Sequence, residues 1–168
     1  MTDFQKLLIA PLNPLHDRTG FQCGVEALDR YLKKQANQDI RRQISRVFVA
    51  TKRDNPKAVI GYYTLSTLSI ELNQLPEKLA RKLPKLPVPA ALIGRLAVSN
   101  AAQRQGVGKM LLADAIKRTL AVSDQIAIYA IVVDPIDDNA KGFYEQFGFT
   151  RLSDDSPRLF LPLKSINL

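Results

Sequence analysis

The chain has no tryptophan and only one cysteine and one histidine in 168 residues. A lone cysteine, Cys23, makes a disulfide within the chain impossible, and with His16 as the only imidazole there are too few soft ligands for a structural zinc site. The same scarcity argues against metal chemistry and histidine-based triads. Nothing beside Cys23 in the sequence would lower a thiol pKa, so it reads as a small buried hydrophobe, and His16 reads as a loop or packing histidine. No run approaches the roughly 18 apolar residues of a membrane span. Met1 to Ala10 lacks a signal-peptide layout, so a cytoplasmic protein with no membrane association is expected. There is no internal repeat and no low-complexity segment.

What is present suits a single globular domain over residues 1–168, since 46% hydrophobic and 24% charged residues at this length support one sizeable core. The net charge is +8, and it is unevenly placed. Residues 1–90 hold 15 Lys/Arg against 8 Asp/Glu, a net +7, whereas residues 91–168 hold 9 against 8, a net +1. Such an excess fits a polyanionic substrate, an acidic protein partner or a solvated basic face. The candidate polyanion contacts are Arg41, Arg42, Arg46, Lys52, Arg53 and Arg95.

In order, residues 4–12 suit a strand ending at Pro11-Leu12-Asn13-Pro14, and apolar spacing predicts a helix from Gly24 to about Arg42. The β-rich runs 46–51 and 58–65 flank a polar hairpin turn, and a further strand is expected over 65–72. A short helix should follow Pro76, then a stiff connector containing Pro84, Pro87 and Pro89. Residues 93–98 predict a buried strand, 107–120 a helix, and the apolar run 126–133 a central strand buried on both faces. The last helix should run from about Asn139 to Phe147 with Gly148 as its stop. A final strand over 157–163 is confined by Pro162 to a sheet edge or to the strand's end. Two of the β-α units should have their strands side by side.

Between strand 93–98 and helix 107–120 lies Gln103-Arg104-Gln105-Gly106-Val107-Gly108-Lys109, a basic turn with two glycines that let the main chain approach a bulky anion. The first helical N–H groups lack intrahelical partners and carry the positive end of the macrodipole, so the turn is suited to phosphate oxygens. It is not a P-loop, because Lys109 precedes Met110 rather than a hydroxyl. Nor is it a dinucleotide fingerprint, because Leu111 stands where the third glycine should be.

Gln103-x-x-Gly106-x-Gly108 resembles the pyrophosphate loop of the GCN5-related N-acetyltransferases, and Ala140-x-x-Phe143-Tyr144-x-x-x-Gly148-Phe149 resembles a second motif of that family at the usual distance downstream. Together with Gly20-Phe-Gln-Cys-Gly24, Leu28-Asp29, Gly61-Tyr-Tyr-Thr-Leu-Ser66 and Gly94-Arg-Leu-Ala-Val98, the chain resembles the acetyltransferase toxins of bacterial toxin–antitoxin pairs from about residue 20 to 163. The resemblance implies an α/β fold with a mixed twisted central sheet and helices on both faces. It also implies acetyl-CoA as co-substrate, no metal, acetylation of the α-amine of aminoacyl-tRNA with arrest of translation, and a ribbon-helix-helix antitoxin as partner. It is compatible with a homodimer. Two departures stand out: Asp137 replaces an asparagine common in the superfamily, and Val133-Asp134-Pro135 is unusual after the central strand.

The chemistry is consistent with that resemblance. Acetyl transfer to an amine needs an uncharged nucleophile and a proton for the departing thiolate. No Asp or Glu lies in 93–98, where many acetyltransferases put a base. A lysine near pKa 10.4 would need one, while an α-amine near 7.7–8.0 is already partly neutral. A carboxylate elsewhere acting through water stays open. Tyr144 is the candidate general acid, its alternative role being packing beside Phe143 and Phe147. Main-chain groups from Gln103 to Lys109 would hold the cofactor phosphates, and those near Ala97 and Val98 its pantetheine arm, as an added strand. Acetylation of a small-molecule or protein amine is the main alternative. An acetyl-CoA-binding module and a DNA-binding regulator are others, the last without a helix-turn-helix pattern.

Overall fold

The computed structural model describes residues 7–166, so residues 4–6 of the expected first strand lie outside the described range. In chain order the elements are β1 (Leu7–Pro11), α1 (Glu26–Arg30), a π-helical turn (Tyr31–Gln35), α2 (Ala36–Arg41), β2 (Arg46–Lys52), β3 (Gly61–Ile70), α3 (Glu77–Ala80), β4 (Val88–Val98), α4 (Val107–Ser123), β5 (Ala130–Val133), α5 (Asp138–Glu145), β6 (Thr150–Arg151) and β7 (Leu159–Pro162). The strands hydrogen-bond in the order β1-β2-β3-β4-β5-β7-β6, and the mixture of parallel and antiparallel pairs is the expected α/β arrangement. Contacts cluster into two compact units, one of residues up to 66 with 94–117, the other of 67–93 with residues from 118 onward.

In the first unit β1 pairs antiparallel with β2, and β2 with β3, in a register that sets Val49 opposite Tyr62. Residues 47–51 are buried without interruption because helices cover both faces. On one side Val47, Val49 and Tyr62 pack with Leu28, Tyr31, Leu32 and Ala36. On the other, Phe48 stacks on Tyr63, whose hydroxyl donates to Asp114 of α4 at 2.6 Å. The π turn interrupts the expected single helix, as such turns do at one wide coil. Beside it Tyr31 stacks on Tyr62 and donates its hydroxyl to Asp39.

Gly61 opens β3 and lets α4 approach. A Cβ there would stand 3.0 Å from Leu111 Cδ1, 3.2 Å from the Ala97 carbonyl oxygen and 3.3 Å from Val107 Cγ1. The first turn of α4 therefore rests on bare backbone. The two expected strands 58–65 and 65–72 are one ten-residue strand that starts only at Gly61, because residues 58–60 are held by separate bonds to Asp17 and Ala50.

In the second unit β5 lies parallel to the first half of β4, with Ala90 opposite Ala130, and β7 lies antiparallel to β5. Its core gathers Ile70, Leu75, Val88, Ala130, Val132, Leu152 and Phe160. Two expectations are corrected and a third is narrowed. The strand expected over 93–98 is the end of an eleven-residue strand that begins at Val88 and includes Pro89. Only 130–133 of the apolar run 126–133 is strand, and Ile126 is 69% exposed, since its N–H still bonds back to Val122 at the end of α4. The last strand is flanked by β5 and β6, so of the two expected alternatives Pro162 marks the strand's end.

Substituting Gly61→Ala should destabilise the protein by about 1–3 kcal/mol, the usual cost of overpacking, because one of the groups it meets is a backbone carbonyl. Denaturant unfolding at fixed m-value measures this, and a change below ~0.5 kcal/mol would mean α4 can shift freely.

Candidate active site

Two chemically distinct features stand out, one in each unit. The first is the loop before α4. The Gln103 side-chain amide donates to the carbonyl oxygens of Cys23 at 3.0 Å and Val98 at 2.9 Å, and to Asn100 Oδ1 at 3.2 Å. Gln103 thus ties the loop to the end of β4 and to the segment before α1. Its side chain organises the loop, and the Val98 carbonyl expected to face a pantetheine arm already accepts this bond. Ala97, also expected there, is buried.

Beyond Gln103 the backbone alternates in hand: Arg104 has φ +63° and Gly106 φ +84°, with Gln105 between them on the ordinary side. Alternation of this kind turns successive N–H groups toward one side, forming an anion-binding nest. The space where a Gly106 side chain would stand is open to 4 Å. Val107 is buried and supplies only its N–H, while Arg104 and Lys109 are exposed. The first turn of α4 holds no acidic residue, so the helix's positive end is uncompensated. These features fit the diphosphate of a nucleotide-like cofactor such as coenzyme A.

The second feature is Tyr144 on α5. Asp137 begins that helix by accepting the Ala140 N–H at 2.8 Å, a side-chain N-cap. Its carboxylate is engaged in this way at the position noted above as a departure from the family pattern. Gly148 closes the segment at φ +94°. Tyr144 is only 6% exposed, its ring set edge-on between Phe143 and Phe149. Its hydroxyl has no hydrogen-bond partner among the described residues, yet no buried side-chain oxygen is unpaired. The ring is therefore buried while the oxygen reaches the surface. Burial first, and then the negative charge of Asp134, raise the phenol above its ordinary pKa of 10.0. The side chain stays protonated across the physiological range.

The remaining candidates divide. Arg41, Arg42, Arg46, Lys52 and Arg53 are exposed and make no ion pair among the described residues. They form two groups at opposite ends of β2, about 20 Å apart at ~3.3 Å per residue. Arg95 stands apart from both, its guanidinium carbon 3.6 Å from the centre of the Tyr31 ring. Cys23 is half-buried, and desolvation first, with Asp29 adding to it, pushes its thiol up to about 11, which leaves it inert. His16 accepts the Asn13 N–H in a loop. Among the described residues no group of three or more His, Cys, Asp or Glu could hold a metal ion, and no helix is long and apolar enough to cross a membrane. Sequence reading missed the part played by Gly61, whose only local signal is a glycine inside a β-rich run.

The model of the acetyltransferase (GNAT) domain family matches residues 43–151. The chain belongs to the GNAT acetyltransferases. A probable toxin TacT of Sinorhizobium fredii is 34% identical over 174 residues, covering 98% of this chain and 96% of that one. A tRNA-acetylating toxin of Mycobacterium tuberculosis is 38% identical over 148 residues, covering 88% and 87%. Among solved structures, a tyrosine-to-phenylalanine mutant of KacT superposes with a TM-score of 0.90 at 34% identity, over 96% of this chain and 97% of that one. AtaT complexed with acetyl-methionyl-tRNAfMet gives 0.87 at 30% identity, over 95% and 96%. A mutant AtaT toxin bound to the C-terminus of the antitoxin AtaR and acetyl-CoA gives 0.80 at 28%, over 95% of each chain.

For this GNAT chain, Gly106→Asp should abolish acetyl-CoA binding in calorimetry, and Gly108→Asp likewise. Gly106→Asn tests backbone strain without charge, because asparagine tolerates positive φ, and it should retain affinity within about tenfold. Near-normal affinity of both aspartate variants would place the phosphates elsewhere.

Proposed function

We propose that this protein is the toxin of a toxin–antitoxin pair, an acetyl-CoA-dependent N-acetyltransferase that modifies the α-amine of aminoacyl-tRNA and so blocks translation. The observation that carries the reading is the near full-length likeness to a tRNA-acetylating toxin and to AtaT in complex with acetylated initiator tRNA. The whole chain acts as one acetyltransferase domain in the cytoplasm. A ribbon-helix-helix antitoxin holds it inactive, and it can pair with a second copy of itself; the likeness to AtaT bound to the C-terminus of the antitoxin AtaR supports an antitoxin as partner.

The chain's residues divide the work. N–H groups of the 103–109 loop, with the Arg104 and Lys109 charges, hold the cofactor diphosphate. The co-substrate supplies an activated acetyl group whose carbon forms a bond to the amine nitrogen as its bond to sulfur breaks. Tyr144 gives the phenolic proton to the departing sulfur and regains one from solvent, and the amine's proton leaves to water. A buried phenol is a weaker acid than a free one, so this transfer is further uphill than an ordinary phenol would make it. A thiolate leaving in the same apolar surroundings is raised too, which narrows the gap.

Incubating the purified chain with labelled acetyl-CoA and total aminoacylated tRNA should label the tRNA fraction. Mild alkaline hydrolysis of the ester should then release the label as N-acetyl amino acid. Transfer only to free amines or to protein would overturn the tRNA reading. Tyr144→Phe keeps the ring packing and should lower the single-turnover rate on the order of a hundredfold or more, with cofactor affinity changed less than about threefold. The wild-type rate should rise with pH as an α-amine of pKa about 7.7–8.0 loses its proton. It should then hold level past pH ~9.5, because the raised phenol pKa keeps the acid protonated there.

Charge reversal at Arg41, Arg42 and Arg46, or at Lys52 and Arg53, should each weaken tRNA acetylation and flatten its salt dependence while leaving acetyl-CoA affinity intact. If only one group matters, the polyanion follows one end of β2, and full activity of both sets of variants would assign the charge to another partner.

A further inference from the structure

Arg95 shares one face of β4 with Ala97, two residues on, and Ala97 belongs to the core formed with Leu28, Tyr31 and Tyr62. The Arg95 guanidinium carbon lies 3.6 Å from the centre of the Tyr31 ring. That ring is fixed from several sides. It stacks on Tyr62 with the two planes 14° apart, its hydroxyl donates to Asp39 at 2.8 Å, and the residue is 2% exposed. Tyr31 also begins the π turn, within which the Leu32 carbonyl accepts from the Arg18 guanidinium at 2.9 Å. Burial first, and then the hydrogen bond to Asp39, push the Tyr31 phenol up to about 12. The ring is therefore neutral and does not cancel the charge above it.

Arg95 itself is half-buried and makes no hydrogen bond or ion pair among the described residues. No buried side-chain nitrogen is left unpaired, so its donors reach solvent. A cation–π contact uses the flat face of a guanidinium and leaves its N–H edge free. That edge is a planar fork suited to two oxygens of one anion. Stacked on a buried ring, the side chain has little freedom left to lose when an anion binds.

The β5 ladder stops with Val133 opposite Ile93, and β4 runs on to Val98. Arg95 stands three residues before Val98, about 10 Å at ~3.3 Å per residue, and the Val98 carbonyl is tied by Gln103 to the start of the cofactor loop. A pantetheine arm laid back from that loop along β4 leads toward Arg95. In an aminoacylated tRNA the phosphate nearest the reacting amine is the one that joins the last two nucleotides. We infer that Arg95, held on Tyr31, binds this last phosphodiester of the acceptor strand and so sets the aminoacyl end against the thioester. The inference rests on the aminoacyl-tRNA reading given above. It gives Arg95 a place on the substrate distinct from that of the exposed cations at the two ends of β2. A free or protein amine carries no such phosphate, so the contact selects for tRNA.

The test uses two substrates made from total tRNA that is trimmed of its last two nucleotides, rebuilt with either a phosphodiester or a neutral methylphosphonate between them, and aminoacylated. kcat/KM at saturating acetyl-CoA is measured on both for the wild type, Arg95→Gln and Arg95→Lys. On the phosphodiester substrate Arg95→Gln should lose about ten- to hundredfold, the scale of a hydrogen bond to a charged group, with acetyl-CoA affinity within about threefold. Its kcat/KM should also fall less steeply with salt, by about 0.7 in the logarithmic slope, as expected for one lost contact to a single strand. Arg95→Lys keeps the charge without the planar fork and should lie between the two. The neutral linkage should cost the wild type a factor similar to that of Arg95→Gln, and should cost Arg95→Gln less than about threefold more, because the partner of the phosphate is already gone. Unchanged activity in Arg95→Gln overturns the proposal. Losses that multiply when variant and neutral linkage are combined overturn it too, and leave Arg95 a packing residue. A neutral linkage that costs the wild type nothing overturns it whether or not the variants fold. If the wild type labels free or protein amines and neither tRNA substrate, the aminoacyl-tRNA reading itself has failed.

Discussion

The first turn of α4 can sit where it does only because β3 presents Gly61 to it. Val107 and Leu111 close over that glycine, and any side chain there would press on them and on the Ala97 carbonyl. The constraint reaches the loop that precedes the helix. With Val107 sealed in the core, the N–H groups of residues 107–109 point out of the helix start, and Gln103 anchors the other end of the loop to β4. A short segment pinned at both ends has little freedom to reorganise when an anion arrives, so the entropy of ordering it is already spent in folding. The left-handed residues Arg104 and Gly106 turn the chain between those two anchors.

The two units handle charge in opposite ways. In the first, Arg104 and Lys109 beside the loop before α4 make no ion pair among the described residues, which suits a ligand that brings its own negative charge. In the second, Tyr144 is packed among aromatic rings and Asp134 is paired with Arg158. A proton donor works best where neither its own charge nor a neighbour's must be solvated, whereas a phosphate site works best with donors already in place. Under the proposed function one chain would combine a polar loop set by helix packing with a proton donor packed among aromatic rings.

Local pattern was enough to read the loop, the start of α4 and the stop at Gly148, because each depends on residues within one turn of one another. It failed where the deciding partner is distant. The apolar run from Ile126 could not reveal that only Ala130 onward has a parallel partner, since that partner lies in β4, some forty residues earlier. Leu65 reads equally well as the end of one strand or the start of another, and the absence of a turn between them is fixed by the sheet. Arg95 looked like one more free cation, yet it stacks on Tyr31, a contact made only once the helix containing the π turn folds over the sheet. The Asp134–Arg158 pair spans 24 residues and exists only through the β5–β7 register.

The same limit bears on the basic half of the chain. In sequence Arg41 to Arg53 is a compact cluster, but β2 runs through the middle of it, so folding draws its two ends about 20 Å apart. Among the described residues neither group makes an ion pair, and the loop before α4 has its own separate cations in Arg104 and Lys109. A small anion can satisfy only one such group. Two groups held at a fixed distance along a strand instead match a ligand that carries negative charge over a comparable length, as a nucleic-acid backbone does with its regularly repeated phosphates. Because phosphate contacts position a ligand without reading its sequence, under the proposed function this arrangement would hold tRNA in general. The choice among aminoacyl-tRNAs must then come from groups that meet the acceptor end itself.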